Sequence, residues 1–147
     1  MNRKTLLLRF AHASICALFL SGIAANPQTI SAEPGYSIRL LHSTPKPGTR
    51  LVAGEHVSLS VTVAYKLSAK DNGVIALVLQ KGDSSQLTPG RDQIKTQVHR
   101  GGGEVTLTDE FDVPTGTSLV RLFVPLMPDG YAHTSGEIVI EYPVKKK

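Results

Sequence analysis

Apolar residues occupy every second position from Val57 to Leu67, and this alternation constrains the fold more than any other feature of the chain. Side chains of an extended strand point to opposite faces with a period of two, whereas the same residues would spread around the whole surface of a helix. The segment His56–Leu67 is therefore predicted to be one long strand with a buried face and a solvated face.

Further strands are predicted along the rest of the chain. Val74–Leu79 is short and continuously apolar, which is typical of a central strand that is covered on both faces. The same patterns predict strands at Tyr36–Leu40, Ile94–Val98, Val105–Val113, Leu119–Val124 and Ile138–Val144. Asp109 interrupts the alternation of its strand, and a β-bulge is expected there. Turns are predicted where Gly clusters with Pro, Asn or other Gly residues, as in Asp71–Gly73, Pro89–Gly90, Gly101–Gly103 and Asp129–Gly130.

Roughly six or seven short strands without a helical pattern predict an all-β, antiparallel β-sandwich. From Tyr36 to Val144, with the Pro47–Gly48 corner ahead of the long strand, the pattern resembles bacterial exported immunoglobulin-like domains. The chain has no Trp, and its one Cys lies near the N-terminus, so the disulfide and buried Trp of antibody-type domains are absent. A fibronectin-III-like variant is the better comparison, and this resemblance implies an interaction domain.

The first 32 residues are predicted to be a signal peptide and a short leader. Three cations within the first nine residues precede an apolar run, Ala13–Ala25, which is shorter than the ~20 residues that span a bilayer. Cleavage is expected after Ala25 or Ala32, with Ala24 as a further option. The domain then covers residues 33–147, without a transmembrane segment, and is exported to the periplasm or secreted.

Charge and cysteine content narrow the class of partner. From Glu33 onward the chain carries 13 basic and 12 acidic residues, and three of the cations form the terminal run Lys145–Lys147. The body of the domain therefore gives no reason to expect a nucleic-acid partner. Cys16 lies within the predicted signal peptide, so the mature domain has no disulfide and is expected to be stabilised by its apolar core alone.

No catalytic arrangement stands out. Gly82-Asp83-Ser84 follows an apolar strand, as a nucleophile loop would, but Gly, Asp and Ser are also the residues expected in a polar loop. Asp109, Glu110 and Asp112 are neighbours on one predicted strand, and such neighbours do not flank a cleft as a pair of glycosidase carboxylates must. They are predicted to form a solvated strand edge, and the protein is predicted not to be an enzyme and to need no cofactor.

A metal site is an alternative. The segment Leu41–Gly48 resembles the start of small periplasmic copper-binding sandwiches, and Asp129–Gly130 resembles a segment near their other end. That resemblance implies a copper carrier, although the histidines that those proteins use near the mature N-terminus and in an Asp-x-His motif are missing. If histidines distant in sequence meet in space, His42 and His133 are the candidate ligands.

The leading hypothesis is an exported, non-enzymatic interaction or accessory module of the cell envelope with a protein partner. Recognition by such domains uses loops at the ends of the sheets or an added edge strand. The predicted contact regions are the connection at 82–91 and the loop at 127–136, in which Tyr131, His133 and Asp129 are the candidate contact residues. A carbohydrate-binding module is a further alternative, although Tyr131 is the one aromatic residue that the pattern leaves exposed. The sequence leaves the oligomeric state open.

Overall fold

The computed structural model describes residues 28–30 and 33–147. Of the predicted signal peptide and leader the structure describes residues 28–30 alone, and Cys16 and the three predicted cleavage positions, Ala24, Ala25 and Ala32, lie outside the described residues. Within them the regular structure consists of strands, and no helix is long and apolar enough to cross a membrane. The strands are β1 (Gln28–Ile30), β2 (Tyr36–Thr44), β3 (Leu51–Val52), β4 (His56–Lys81), β5 (Ile94–Asp112), β6 (Leu119–Pro128) and β7 (Gly136–Lys145).

Strand β4 organises the whole sheet because its two halves have different neighbours. Its first half pairs with β2 from Ser60 to Leu67, and its second half pairs with β6 from Gly73 to Lys81. Strand β5 pairs with both halves. From β6 the sheet continues to β7 and then to β1, and all of these pairings are antiparallel, whereas the short β3 runs parallel to β7.

The sheet folds over so that β2 packs against β6 and β7 without hydrogen-bonded pairing between them. The apolar side chains of both layers meet in this space, and Val61, Val63, Leu122 and Ile140 are almost completely buried. The chain is therefore all-β, and its layered arrangement is consistent with a β-sandwich. The alternation of β4 is confirmed from Leu59 to Leu67, except that Tyr65 is only half-buried.

The turn predicted at Asp71–Gly73 is wrong. Strand β4 is 26 residues long and runs through these three residues without reversing. The pairing of β4 with β5 shifts between Leu67 and Asn72, so that the intervening residues bulge out of the ladder instead of reversing the chain. Gly73 is required for close packing: a Cβ atom there would lie 3.0 Å from the carbonyl oxygen of Met127.

The turn predicted at Gly101–Gly103 is also wrong. These glycines lie inside β5 and pair with Leu67, Lys66 and Tyr65 of β4. Gly101 has a φ of 112°, which other residues rarely adopt, and a Cβ atom on Gly103 would lie 3.1 Å from the Tyr65 ring. The glycines thus allow β5 to stay paired with β4 where both strands cross from one layer of the sheet to the other.

The bulge predicted at Asp109 is absent, since the register with β4 is continuous from Gly101 to Asp112. Asp109 lies opposite the buried Leu59, its side chain is only 8% exposed, and its carboxylate accepts a hydrogen bond from Arg91. Asp109 is therefore an inward-facing, ion-paired carboxylate, whereas Glu110 and Asp112 are solvated as predicted.

Candidate functional site

The β6–β7 loop, residues 129–135, holds its shape through backbone hydrogen bonds. The Ser135 amide donates to the Leu126 carbonyl over 2.9 Å, and the Asp129 amide donates to the Asn72 carbonyl of β4 over 3.0 Å. Gly130 has a φ of 79°, and its conformation directs the chain so that the Tyr131 amide donates to the Pro128 carbonyl. The loop is thus fixed to both flanking strands and to β4.

Tyr131 is half-buried and lies between an aromatic ring and a cation. Its ring meets the Tyr36 ring edge-on at a centroid distance of 5.7 Å and an angle of 73°. The Tyr36 hydroxyl donates a hydrogen bond to the Tyr131 hydroxyl over 3.3 Å. The ammonium group of Lys70, from the bulge of β4, lies 5.3 Å from the centre of the Tyr131 ring. The side chain is therefore positioned before any partner arrives.

His133 extends this group toward solvent. Its ring lies 5.9 Å from the Tyr131 ring, and its Nε2 atom lies 3.1 Å from a carboxylate oxygen of Glu33. The Ser135 hydroxyl donates to the other carboxylate oxygen of Glu33 over 3.3 Å. His133 remains 66% exposed. Together, Glu33, Tyr36, Lys70, Tyr131 and His133 form what we term the Tyr131 cluster.

The phenol of Tyr36 is the most perturbed group of the cluster. Donation to the Tyr131 hydroxyl is the main cause, and burial and the nearby Glu33 carboxylate add to it, raising the pKa of Tyr36 to about 12. Each influence disfavours the phenolate. Tyr36 is 5% exposed and therefore acts as the neutral, rigid support of Tyr131.

Of the predicted contact residues, the structure brings Tyr131 and His133 together, and it places Asp129 exposed in the same loop. His42 lies elsewhere: its Nε2 atom contacts the Thr44 hydroxyl near the other end of β2 from Tyr36. Tyr36 and His42 are six positions apart on this extended strand, which corresponds to about 20 Å. One metal ion therefore could not contact both His42 and His133 in this arrangement. No group of three or more His, Cys, Asp or Glu side chains within the described residues is arranged to hold a metal ion.

The predicted contact region at 82–91 folds back onto the domain. Leu87 is buried, and the Asp83 carboxylate accepts hydrogen bonds from the hydroxyl and, less strongly, from the amide of Ser85, which lowers the pKa of Asp83. Arg91 donates to the Asp109 carboxylate and, over 2.8 Å, to the Glu110 carbonyl. These contacts engage Asp83, Ser85 and Arg91 within the domain, so fewer polar groups of this connection are left for a partner, and it is the weaker candidate.

Two features of the surface were missed by the sequence analysis. Glu33 and Lys70 belong to the Tyr131 cluster, but they lie 98 and 61 positions before Tyr131 in the sequence, beyond the reach of any local motif. The second feature is a shallow groove of about 460 Å³ on the outer face of β4, β6 and β7, with the half-buried Phe123 in its lining. The polar residues that line this groove are Gln80, Ser84, Arg121, Glu137 and Glu141.

Comparison with known proteins assigns no family. No family model matches the chain, and no curated protein matches it. A β-glucosidase from Listeria innocua is similar to 76% of this chain at 20% identity and a TM-score of 0.44, over 16% of its own length. A chitin-binding domain from Burkholderia pseudomallei is similar to 66% of this chain at 14% identity and a TM-score of 0.35, over 57% of its own length. The chain thus spans less than two thirds of either protein, and both similarities are too distant to assign a function.

Proposed function

We propose that this chain is an exported, non-enzymatic, immunoglobulin-like interaction module of the cell envelope that contacts a protein partner through the Tyr131 cluster. The observation that carries the proposal is the half-exposed Tyr131 ring, held between Tyr36 and Lys70. Tyrosine is enriched among the residues that dominate protein interfaces, because it combines a large apolar area with a polar tip.

Preorganisation supports this role. A partner that covers Tyr131 does not have to immobilise a free side chain, which costs about 0.5–1.5 kcal/mol for a flexible one. The exposed His133 and Asp129 lie in the same loop and supply polar groups at the rim of the contact. Tyr131 is thus the anchor of the proposed interface, and the charged residues beside it select the partner.

Site-specific photo-crosslinking in the native cell envelope tests the proposal. A photoreactive residue at His133 is expected to capture one protein reproducibly, and the capture is expected to be lost when Tyr131 is changed to Ala. The matched control is a photoreactive residue at His42, an exposed histidine toward the far end of β2. Identical products from both positions, or mature monomer alone from both, would overturn the proposed interface.

A carbohydrate-binding module is the second candidate, and the groove around Phe123 favours it. Sugar rings pack their apolar face on an aromatic side chain while their hydroxyl groups bond to surrounding polar residues. Arg121 donates two hydrogen bonds to Glu141, at 3.2 and 2.9 Å, and a third to Ser84, so the polar wall of the groove is ordered.

Retention of the purified protein on insoluble chitin, cellulose or peptidoglycan separates the two candidates. Glycan binding through this groove is expected to be lost in Phe123→Ala and kept in Tyr131→Ala. If the protein binds no glycan while the crosslinking result holds, the interaction module stands alone. If retention depends on Phe123 and no protein is captured, the carbohydrate module replaces it.

A further inference from the structure

Strand β5 lies at an edge of the sheet. It is 19 residues long, Ile94–Asp112, and pairs with both halves of β4. No strand within the described residues pairs with its other side. Arg91 already binds the Glu110 carbonyl, so the free stretch of this edge ends there. The remaining outward amide and carbonyl groups are open to a further strand.

The charged side chains along this edge are sorted by sign. Lys95 and Arg100 lie in the first half of β5, Glu104 and Glu110 lie in the second half, and all four are exposed. Gly102–Gly103 lies between the two halves: Lys95 is seven positions before Gly102, and Glu110 is seven positions after Gly103. Reversing the direction of the strand about these two glycines therefore exchanges positive positions for negative ones.

We propose that two copies of this chain associate by antiparallel pairing of their β5 edges, around a twofold axis at Gly102–Gly103. Lys95 of each copy then lies opposite Glu110 of the second copy, and Arg100 lies near Glu104. In such strand addition the backbone hydrogen bonds supply affinity, and the side chains supply specificity. The inference goes beyond the proposed function, since β5 contains no residue of the Tyr131 cluster.

The faces of the two copies agree in this register. Directly opposite residues of antiparallel strands share one face of the sheet. A register that places Lys95 opposite Glu110 also places Val98 opposite Leu107, and each of these apolar side chains is only 2% exposed. Charged residues thus stay on the solvated faces of both copies, while apolar residues stay on the core faces.

Charge disfavours the parallel arrangement. A second copy in the parallel direction, with the same positions side by side, would place Lys95 beside Lys95 and Glu110 beside Glu110, which is destabilising. Charged side chains protect many sheet edges against unspecific pairing, and here they leave the antiparallel copy as the favoured occupant.

The pair of Lys95 with Glu110 is the one to test. Arg100 already contacts Asp71 over 2.9 Å, whereas Lys95 has no ion-pair partner among the residues that the structure describes. The nearest cation to Glu110 is His56 of its own copy, at 3.7 Å with both side chains exposed. The Lys95 and Glu110 charges are therefore accessible to a second copy.

Sedimentation of the full chain measures association directly. We expect a reversible equilibrium between monomer and dimer at micromolar concentration, and we expect it to weaken as salt is raised because exposed charges are screened. A chain that stays monomeric up to high micromolar concentration would overturn the inference and would leave the proposed contact through the Tyr131 cluster unaffected.

Charge reversal identifies the surface. Lys95→Glu and Glu110→Lys are each expected to weaken the homodimer at least about tenfold, because each change acts twice in a symmetric pair. Mixing the two variants, or combining both changes in one chain, places opposite charges against each other again and is expected to restore association. Dimers that persist in both single variants, or losses that the combinations do not rescue, would overturn the inference.

Lys146→Glu is the matched control for charge. It changes the net charge as much as Lys95→Glu does, at an exposed position beyond the last strand. This variant is expected to dimerise like the unaltered chain. An equal weakening in both variants would show that net charge, and not the β5 edge, controls association.

Hydrogen exchange tests the backbone pairing. The β5 amides that point away from β4 are expected to exchange about tenfold more slowly where the dimer predominates than where the monomer does. Amides of β6 serve as the internal reference, since both of its neighbours lie in the same copy. Unchanged exchange in β5 when a dimer is present would show that the copies associate through another surface, and would overturn the inference.

Discussion

Two tyrosine hydroxyls link distant parts of this chain, and their surroundings differ. At the β2–β7 junction, formed by Ser43, Pro45 and Tyr142, the Tyr142 hydroxyl lies 2.9 Å from the Ser43 hydroxyl and donates to the Pro45 carbonyl over 3.0 Å. Tyr142 is 1% exposed, and burial raises its pKa. In the Tyr131 cluster, Tyr131 is bonded just as specifically but remains half-exposed.

The difference shows that tyrosine has two roles in this chain, a structural role at Tyr142 and an accessible, oriented position at Tyr131. At the β2–β7 junction every polar atom of the tyrosine is satisfied inside the protein, so the residue joins the two layers and has no group left for a partner. In the Tyr131 cluster the hydrogen bond and the ring contacts fix the orientation of Tyr131, while one side of it stays accessible. We therefore expect substitutions at the junction to change stability and substitutions in the cluster to change binding.

Tyr142→Ala gives the largest expected effect. Loss of a buried aromatic side chain lowers the free energy of unfolding by about 3–5 kcal/mol. Tyr131→Ala is the matched substitution in the cluster, and we expect it to lower the free energy of unfolding by less than about 2 kcal/mol because the side chain is already partly solvated. Urea unfolding of both variants measures this, and equal losses would refute the distinction between the two regions.

Gly73→Ala tests whether the Tyr131 cluster is coupled to the packing of β4 against β6. The added Cβ atom would lie 3.0 Å from the Met127 carbonyl oxygen, so β6 has to move, at a cost of about 1–3 kcal/mol in unfolding free energy. We also expect altered NMR shifts at Tyr131, because Asp129 of its loop bonds to Asn72 beside Gly73. Gly116→Ala is the control, since no atom lies within 4 Å of its Cβ position; a Gly73 variant as stable as this control would contradict the packing argument.

Removing one hydroxyl from each region sharpens the comparison. Tyr142→Phe deletes a buried hydrogen bond to the Pro45 carbonyl and is expected to lower the free energy of unfolding by about 1 kcal/mol. Tyr131→Phe is expected to lower it by less than about 0.5 kcal/mol, because water can replace the partner at a half-exposed hydroxyl. Thermal and urea unfolding give both values, and the reverse order would contradict the assignment.

The ionisation of Tyr36 reports directly on the cluster. Its pKa of about 12 lies above the ordinary value of 10.0, so its stabilising contribution is present below pH 10 and is lost as the pH rises toward 12. Because donation to Tyr131 is the main cause, Tyr131→Phe is expected to lower the pKa of Tyr36. NMR titration of ring-labelled tyrosine measures this shift, and an unchanged pKa in the variant would show that the two hydroxyls are not bonded.

The exposed pair His56–Asp112, between β4 and β5, is expected to give the smallest change in stability. It serves as a reference for contacts that are fully solvated. The Asp112 carboxylate lies 2.8 Å from Nδ1 of His56 and is the main cause of the raised pKa of that imidazole. The pair stabilises the fold fully below the ordinary histidine pKa of 6.5, and this contribution is lost as the pH rises through the raised value. We expect Asp112→Asn to lower the pKa of His56 in an NMR titration; a pKa that stays raised would contradict this cause.

The strands were predictable where the side-chain pattern alone decides burial. The alternation in β4 and β7 identified Val61, Val63, Ile138 and Tyr142 as inward-facing, and all are buried. Prediction failed at Gly73 and at Gly101–Gly103, where glycine serves close approach and an unusual φ within a continuous strand. A glycine in the sequence is compatible both with a turn and with a strand residue that another segment approaches closely. Only the position of that neighbouring segment in the fold shows which of the two is present.

The candidate site was predictable only in part. The exposed loop with Tyr131 and His133 follows from turn residues between two strands. The contributions of Glu33, Tyr36 and Lys70 depend on contacts with residues that lie 61 to 100 positions away in the sequence, and local patterns carry no information on them. Local patterns also miss the partner of Asp109, because Arg91 lies in the connection that precedes β5.

The sequence by itself determined that this chain forms strands, which of their faces are apolar, and where a polar loop with an aromatic residue lies. These properties follow from the period of the side chains and from local turn chemistry. Only the tertiary structure decided that β4 joins two layers, that β1 pairs with β7, and which side chains hold Tyr131 in place. Each of these features depends on the register and packing of segments that are distant in sequence. The residues that meet there are determined by the whole fold, and the residues adjacent to them in the sequence do not specify the contact.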